Sequence, residues 1–587
     1  MKKLPSRTTN IEQRLTTAKA LFDQGQFQQA RTVLEKMLLS APRHLDVLHF
    51  LGAVAYRLQE YQAAVDFIAK ALIVNPDFAP AYLNLGLSLN ELKRFTEAIA
   101  AFDRAIEIKP DYAQAHWGRG CAKRGQNQMA DAIASFGRAI KAKPDYYDAY
   151  LDAGNILRIM NPAAAVTAYS KAIELKPNRP IPYANCAAVL TFLHQFQAAV
   201  AHCDRAIELD PSNAGYYINR ANALQKLRDI PGALTSLDQA LKLKPDYVVA
   251  HQNKVFMLLE TGRYDEGWAL YEWRWKSPEN DKTPKFDQPL WLGAEPLHGK
   301  TILLRYEQGL GDTIQFCRYA SLVAEKGARV VLQVQSPLRA LLAGLPGVSE
   351  VIAGNDPLPA FDYQCPLLSL PLAFKTRPET IPSFPRYIQP DTTKVSLWKQ
   401  RLGESRNLRV GLVWSGGFRP DLPDHWAVNE RRNIPFAQLS ALNGRDIDFF
   451  SLQKGEPAES EWKKIVAAGW SGPAIIDHTN ELKDFSDTAA LIENLDLVIS
   501  VDTATAHLAA AMGKTVWLLN RFDTCWRWFL DREDSPWYAS VRIYRQERMG
   551  EWQPMIERVR QDLLTLAGTR AMAGAGAAPF ANQSTGH

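Results

Sequence analysis

The chain has 587 residues, 47% of them hydrophobic and 22% charged, with a formal net charge of +5. That length exceeds one ordinary domain, and the composition is too apolar for disorder or for a disulfide-stapled miniature. The small net charge argues against a strong binder of nucleic acid or anionic membrane. Six cysteines (Cys121, Cys186, Cys203, Cys317, Cys365 and Cys525) show no C-x-x-C spacing. They read as neither a zinc site nor a disulfide framework, and they suit a reducing compartment, so a cytoplasmic protein is expected. Polar Met1–Asn10 leads into charge-broken Ile11–Ala30, which does not read as a signal peptide. The most apolar long stretch, Leu497–Asn520, is interrupted by Asp502, His507 and Lys514, so no membrane span is expected.

In chain order, the first feature is a repeat. Pro42, Pro76, Pro110, Pro144, Pro177, Pro211 and Pro245 are spaced 34, 34, 34, 33, 34 and 34 residues apart. Ten residues after four of them stand Gly52, Gly86, Gly120 and Gly154. Alanines recur at Ala64, Ala98, Ala132, Ala165, Ala199 and Ala233, and again at Ala71, Ala105, Ala139, Ala172, Ala206 and Ala240. Small residues let two helices approach closely, and proline ends the second helix and opens the next turn. This period and these marks resemble the tetratricopeptide repeat, with about eight units over residues 9–278, the last one atypical as capping units are. The resemblance implies an α-solenoid, a superhelix with a concave binding face.

Eight residues after the prolines lie Asn84, Asp152, Asn185, Asn219 and Asn253. A primary amide can pair with both N–H and C=O of an extended peptide, so Asn185, Asn219 and Asn253 in consecutive repeats form a candidate peptide-binding ladder. The alternative is local helix-to-helix hydrogen bonding.

Residues 279–299 read as a linker rich in proline, lysine and aspartate. Strand-like runs then alternate with amphipathic stretches: Thr301–Tyr306, Arg329–Val334, Val410–Trp414, Phe449–Leu452, Leu497–Val501 and Thr515–Leu519, with helices such as Thr313–Lys326 and Thr505–Met512 between them. This alternation predicts parallel α/β sheets with right-handed crossovers. A weakly patterned, proline-rich zone, Arg377–Asp391, splits the region near residue 400. The expectation is two Rossmann-like domains, 300–400 and 401–567, with ligands beyond the carboxyl ends of their strands. The tail, 568–587, is rich in alanine and glycine and reads as disordered.

Two segments carry candidate chemistry. The first strand runs into Glu307-Gln308-Gly309-Leu310-Gly311-Asp312. Gly309 and Gly311 would let backbone approach a ligand, and Asp312 is either a general base at the cleft mouth or a helix cap. The strand Leu497–Val501 ends at Asp502-Thr503-Ala504-Thr505-Ala506-His507. Hydroxyls and free amides at that helix start suit a diphosphate, the alternative being a cap and turn.

Together these motifs resemble heptosyltransferase-type (family 9) glycosyltransferases, whose second-domain pattern D-[ST]-x-x-x-H-L-A-A-A-x-G is met by Asp502–Gly513. The fold implied is GT-B, two Rossmann-like domains. The family's lysine after the first strand of the second domain has no obvious counterpart: here Ser415-Gly416-Gly417 follows the strand, then Arg431-Arg432-Asn433. Arg432 is the candidate replacement at the phosphates, with Ser415 and Gly416 near the donor. Gln453-Lys454-Gly455 resembles the lysine-bearing strand end of protein O-GlcNAc transferases, which join a similar array, with a similar asparagine ladder, to such a unit.

The resemblance implies a bacterial protein glycosyltransferase of the flagellin type. It would move a sugar from a nucleotide-sugar to Ser or Thr of a polypeptide held by the array. Asp312 would be the base. Gly309, Gly311, Ser415, Gly416, Arg432, Lys454, Asp502, Thr503, Ala504, Thr505 and His507 would sit around the donor. No cofactor and no metal are expected, since Asp446-Ile447-Asp448, the only D-x-D, begins a strand. The trios Trp526-Arg527-Trp528 and Tyr271-Glu272-Trp273 read mainly as packing, with stacking on a base or sugar as the alternative. Rival functions are a saccharide or lipopolysaccharide transferase whose array docks a partner, and a non-catalytic repeat scaffold.

Overall fold

The computed structural model describes residues 7–277, 286–354, 356–417 and 426–575. The chain divides into two compact units, Met1–Pro245 and Asp246–His587.

The first unit is a tetratricopeptide-repeat array of helical hairpins, from Arg7–Asp23 to Ile230–Leu243. The periodic small residues hold its core. All twelve periodic alanines named above are fully buried. A Cβ added at Gly86 would lie 2.6 Å from the ring of Phe102, at Gly120 2.5 Å from Phe136, and at Gly154 2.6 Å from Tyr169. The glycine of each first helix therefore makes room for a ring of the second.

The turn inside a hairpin needs one residue in the left-handed region. Gln59, Lys93, Asn127, His194 and Arg228 supply it with φ between 59° and 64°. The 33-residue unit is different. There Asn161 directly follows the helix Tyr147–Met160, and its side chain caps Pro162–Leu175 by accepting from the Ala164 N–H at 3.2 Å. The residue missing from the sequence is the left-handed one.

The second unit opens with one more hairpin, Val248–Glu260 and Tyr264–Tyr271, closed by the turn Glu272–Lys276. Sequence reading carried the array to residue 278, whereas this hairpin groups with the α/β half. The cause is aromatic: Tyr264, Trp268 and Tyr271 are buried, Trp268 Nε1 donates to the Thr376 carbonyl at 3.1 Å, and Trp537 Nε1 donates to the Tyr264 hydroxyl at 3.2 Å. The segment expected to be a linker lies partly outside the described residues. Its described part, 286–299, is mostly exposed but anchored by buried Trp291 and Leu297. Trp291 is fully buried, and its N–H donates to the Gln364 carbonyl at 2.9 Å.

Two sheets follow. The first contains β1 (Thr301–Arg305), β2 (Arg329–Val334), β3 (Glu350–Ala353) and β4 (Tyr363–Pro366) in the order β3-β2-β1-β4, all parallel. The second contains β5 (Leu408–Val413), β6 (Ile447–Ser451), β7 (Ile475–Asp477), β8 (Leu497–Val501), β9 (Val516–Asn520), β10 (Asp534–Ser535) and β11 (Tyr538–Arg545). Its order is β10-β11-β9-β8-β5-β6-β7, parallel except for the edge pair β10–β11. Read from β7 to β11 this is the 3-2-1-4-5-6 winding, which reverses direction between β5 and β8. The expected helix Thr313–Lys326 is instead Leu310–Phe316, a 3-10 turn at Cys317–Tyr319, and Ala320–Glu325. The final helix, Gln553–Ala575, runs into the segment read as a disordered tail, in keeping with alanine's helix propensity; residues 576–587 lie outside the described part.

Candidate functional site

The site grows from the carboxyl ends of β1, β5, β6 and β8. After β1 the chain passes through Glu307 and Gln308 to the helix Leu310–Phe316, placing Asp312 in its first turn. Of the two alternatives open for Asp312, the helix cap is visible in its contacts. Its Oδ2 accepts from the Gly309 N–H at 2.8 Å, which is the capping role. Its Oδ1 forms an ion pair with Arg527, from the trio read as packing. Arg527 is buried and also donates from Nε to Gln315 Oε1 at 2.8 Å. Burial pulls the guanidinium's pKa down, but the Asp312 carboxylate together with Cys525 and Tyr271 outweighs this, and Arg527 stays charged.

Gly311 marks where the two sheet-bearing halves of this unit touch. A Cβ there would lie 2.9 Å from His507 Cδ2 and 3.5 Å from Ala504 Cα. Gly309 has φ −71°, which any residue adopts, so its backbone does not require glycine.

After β8, Thr503 is the N-cap of Ala504–Ala511 and accepts from the Ala506 N–H at 3.3 Å. Thr505 lies in the first turn of this helix. His507 is buried and stacks on Trp528, with centroids 5.2 Å apart. Its Nδ1 lies 2.9 Å from the Tyr538 hydroxyl and its Nε2 3.6 Å from Asp502 Oδ1. Burial raises the Asp502 pKa, but the nearby His507 and the charges of Arg432 and Arg527 outweigh it. Asp502 is held well below the usual carboxylate range.

At the end of β5, the backbone N–H groups of Ser415 and Trp414 both donate to Gln453 Oε1, at 2.8 and 3.2 Å, and the Gly416 N–H donates to Asn433 Oδ1 at 2.9 Å. Arg432 spans the winding reversal. Its guanidinium lies over Gly416, where an added Cβ would sit 2.0 Å from Nη2, and Nη1 donates to the Asp502 carbonyl at 3.1 Å. The neighbouring Arg431 turns to Asp523 at 3.0 Å, as Arg521 does at 3.4 Å. Lys454 is exposed, and its ammonium donates to the Leu482 carbonyl.

The structure thus brings together Asp312, Gly311, His507, Asp502, Thr503, Ala504, Arg432, Gly416 and Ser415. Sequence reading missed Arg527 as the partner of Asp312, and Gln453 and Asn433 as the side chains that hold the loop after β5. A lone arginine between two tryptophans was the sole available signal for the first.

The asparagine positions are half-buried and make contacts between repeats. Asn84 Nδ2 lies 2.9 Å from His49 Nε2, Asp152 accepts from Trp117 Nε1 at 2.8 Å, and Asn219 Nδ2 approaches the Ala184 carbonyl at 3.4 Å. Each reaches back 35 residues. Asn185 Nδ2 donates to Asn155 Oδ1 at 2.9 Å, an oxygen that also accepts from the Tyr169 hydroxyl at 2.9 Å. Asn253 belongs to the second unit. Asp446-Ile447-Asp448 lies at the amino end of β6, where Asp448 accepts from Ser405 and Asn407 at 2.7 and 2.8 Å. Among the described residues no cluster of three or more His, Cys, Asp or Glu could hold a metal ion, and no helix is long and apolar enough to cross a membrane.

Tetratricopeptide-repeat family models match residues 21–86, 79–112 and 118–180. The model described as glycosyltransferase family 9 (heptosyltransferase) matches residues 482–519, from the approach to β8 through the Asp502–His507 turn into β9. Protein FlbA of Caulobacter vibrioides is 28% identical over 340 residues, covering 53% of this chain and 54% of that protein. The chain thus spans about half the length of the curated relative it matches. Among solved structures, YrrB, described as a TPR protein with an unusual peptide-binding site, is 24% identical, with 32% of this chain and 97% of that chain covered and a TM-score of 0.30. MamA is 24% identical, with 27% and 94% covered and a TM-score of 0.26.

Proposed function

We propose that the chain is a nucleotide-sugar-dependent glycosyltransferase of the GT-B type. It transfers the sugar to Ser or Thr of a polypeptide that the repeat array captures, in the manner of bacterial flagellin-modifying enzymes. The observation that carries this reading is Arg432 lying across the β5–β8 reversal between Gly416 and the carbonyl of Asp502, the last of which stands in the segment 482–519 that meets the family 9 model. The crevice outside such a reversal is where doubly wound sheets bind ligands.

In this reading the diphosphate lies against Ser415, Gly416, the Thr503–Thr505 helix start and Arg432, with Lys454 reaching it once released from Leu482. Asp312 accepts the proton of the acceptor hydroxyl as that oxygen bonds to the anomeric carbon. The sugar–phosphate bond breaks, and the diphosphate leaves with the electron pair, its charge met by cationic side chains and the helix start. Arg527 holds Asp312 in place until an acceptor enters. In the array, Asn185 and Asn219 use hydrogen-bonding capacity beyond their bonds to neighbouring groups to hold acceptor backbone, and Asn253 is the candidate of the same kind in the second unit.

The test is calorimetry of uridine, guanosine, adenosine and cytidine diphosphates in EDTA, followed by mass spectrometry of polypeptides co-expressed with the chain or its Asp312→Ala variant. One diphosphate binds without metal, and the mass of a sugar residue appears on an acceptor only with the unmodified chain. A strict metal requirement, or an identical product from the variant, would sink the reading.

A further inference from the structure

The hairpin Val248–Tyr271 and its closing turn make contacts that this reaction does not itself use. Arg274 is 7% exposed and forks onto Glu307: Nε donates to Oε2 at 2.7 Å and Nη2 to Oε1 at 3.0 Å. The same guanidinium donates to Glu272 at 2.7 Å, to the Tyr271 carbonyl at 3.0 Å and to the Ser369 hydroxyl at 2.8 Å. The Glu307 side chain is 4% exposed and also accepts from the Leu368 N–H at 3.1 Å. One residue on, Gln308 Nε2 donates to the Tyr271 hydroxyl at 3.1 Å.

Glu307 and Gln308 are the residues that join β1 to the helix bearing Asp312. On the opposite side, Trp526, next to Arg527, meets Trp268 edge-on at 5.3 Å and Tyr271 at 6.5 Å. Both members of the Asp312–Arg527 pair therefore hang on short pieces of chain gripped by this one hairpin. A buried ion pair is a poor source of net stability, since an apolar pair of equal volume serves as well or better. What a two-toothed guanidinium–carboxylate contact supplies is fixed geometry.

We propose that Arg274 is a positioning residue: through Glu307 it sets the backbone from Tyr306 to Asp312, and with it the place of the Asp312 carboxylate. The catalytic consequence rests on the reading of Asp312 as the group that meets the acceptor hydroxyl. Lysine cannot substitute, because a point charge on a flexible stem does not reproduce the fork.

The test uses the full chain with Arg274→Lys and the double variant Arg274→Met/Glu307→Gln, which removes both charges of the fork and leaves Glu272 its bonds from the Ser369 hydroxyl and Trp275 Nε1. Hydrogen exchange followed by mass spectrometry reads peptides covering residues 306–316, 524–529 and 497–512. Calorimetry with uridine and guanosine diphosphates reads the donor side, and turnover is measured with nucleotide sugars of the matching base and the polypeptide that the co-expression experiment shows to be modified. Both variants exchange faster in 306–316 and 524–529 and keep wild-type protection in 497–512. Their diphosphate Kd is unchanged, and kcat falls roughly 10²-fold, as for a reactive group misplaced by about 1 Å, with KM within about twofold. Wild-type exchange in 306–316, protection lost across the whole second unit, or a loss carried by KM would overturn the proposal. Faster local exchange with unchanged kcat would uphold the loop's positioning and overturn the role given to Asp312, so the two fail separately.

Discussion

Gly416→Ala separates the donor site from the fold. Gly416 does not adopt a left-handed φ, so alanine suits its backbone. The new Cβ would lie 2.0 Å from Arg432 Nη2, where ordinary contact needs about 3.5 Å, so the guanidinium must retreat by roughly 1.5 Å. It is the far end of a flexible side chain, and the stability change should stay within about 1 kcal/mol. The retreat breaks the 3.1 Å bond to the Asp502 carbonyl and takes the charge away from the β5–β8 crevice. A hydrogen bond to a charged group contributes about 1.5–3 kcal/mol, so diphosphate affinity should fall roughly 10- to 100-fold. Arg432→Ala should cause a similar loss, and the two changes combined should cost no more than either alone, because they remove the same interaction. Calorimetry in EDTA on the three variants, with thermal melts beside it, reads this directly. Wild-type affinity in Arg432→Ala, or fully additive losses, would refute the placement of Arg432 at the phosphates.

Arg527→Met should destabilise the second unit by about 3 kcal/mol, because it strands the Asp312 carboxylate; denaturant melts should show part of that loss recovered when Asp312→Asn is added. Asp502 has a depressed pKa in the folded chain, so its contribution is full above the unfolded value near 4 and drains as pH falls below it. Asp502→Asn should therefore shrink the stability lost between pH 5 and pH 3 by about 1 kcal/mol, measured by guanidinium unfolding at both values. Asn155→Ala removes the shared acceptor of Tyr169 and Asn185 and should lower array stability by about 2 kcal/mol, visible as an earlier thermal transition by circular dichroism. Lys93→Gly, at φ 59°, should raise it by about 0.5–1 kcal/mol, while the same change at half-buried Leu92 should not.

What was legible in the sequence was whatever repeats or stays local. The 34-residue period exposed the array because each unit restates the same packing rule, small residue against ring, as Gly120 against Phe136 does. The strands β1, β2, β5, β6, β8 and β9 were legible as apolar runs because both of their faces are covered. The strands β3, β4, β7, β10 and β11 were not, since the first four have four residues or fewer and β11 carries Arg542 and Arg545. At the site, the turns after β1 and β8 announced themselves by glycine and hydroxyl residues near a helix start. Arg527 could not: its partner Asp312 is 215 residues away, a pairing that local pattern does not encode. Arg274 was hidden in the same way, inside an aromatic turn that read as packing, and the segment 286–299 looked like a linker because its polar residues mask the buried Trp291.

The shortened fifth unit bears on how such an array drifts in length. Its lost residue is the one that adopts a left-handed φ in the other hairpins, where five times it is not glycine, and Asn161 serves as the end of one helix and the cap of the next. Single-codon losses at Gln59, Lys93, His194 or Arg228 thus meet a turn that can close without them, provided a side chain that caps well arrives at the junction. A loss inside either helix would instead rotate every later residue by about 100° and turn the buried alanines toward solvent. Length variation among descendants of this chain should accordingly collect at these turns, with asparagine, aspartate or serine entering beside each gap.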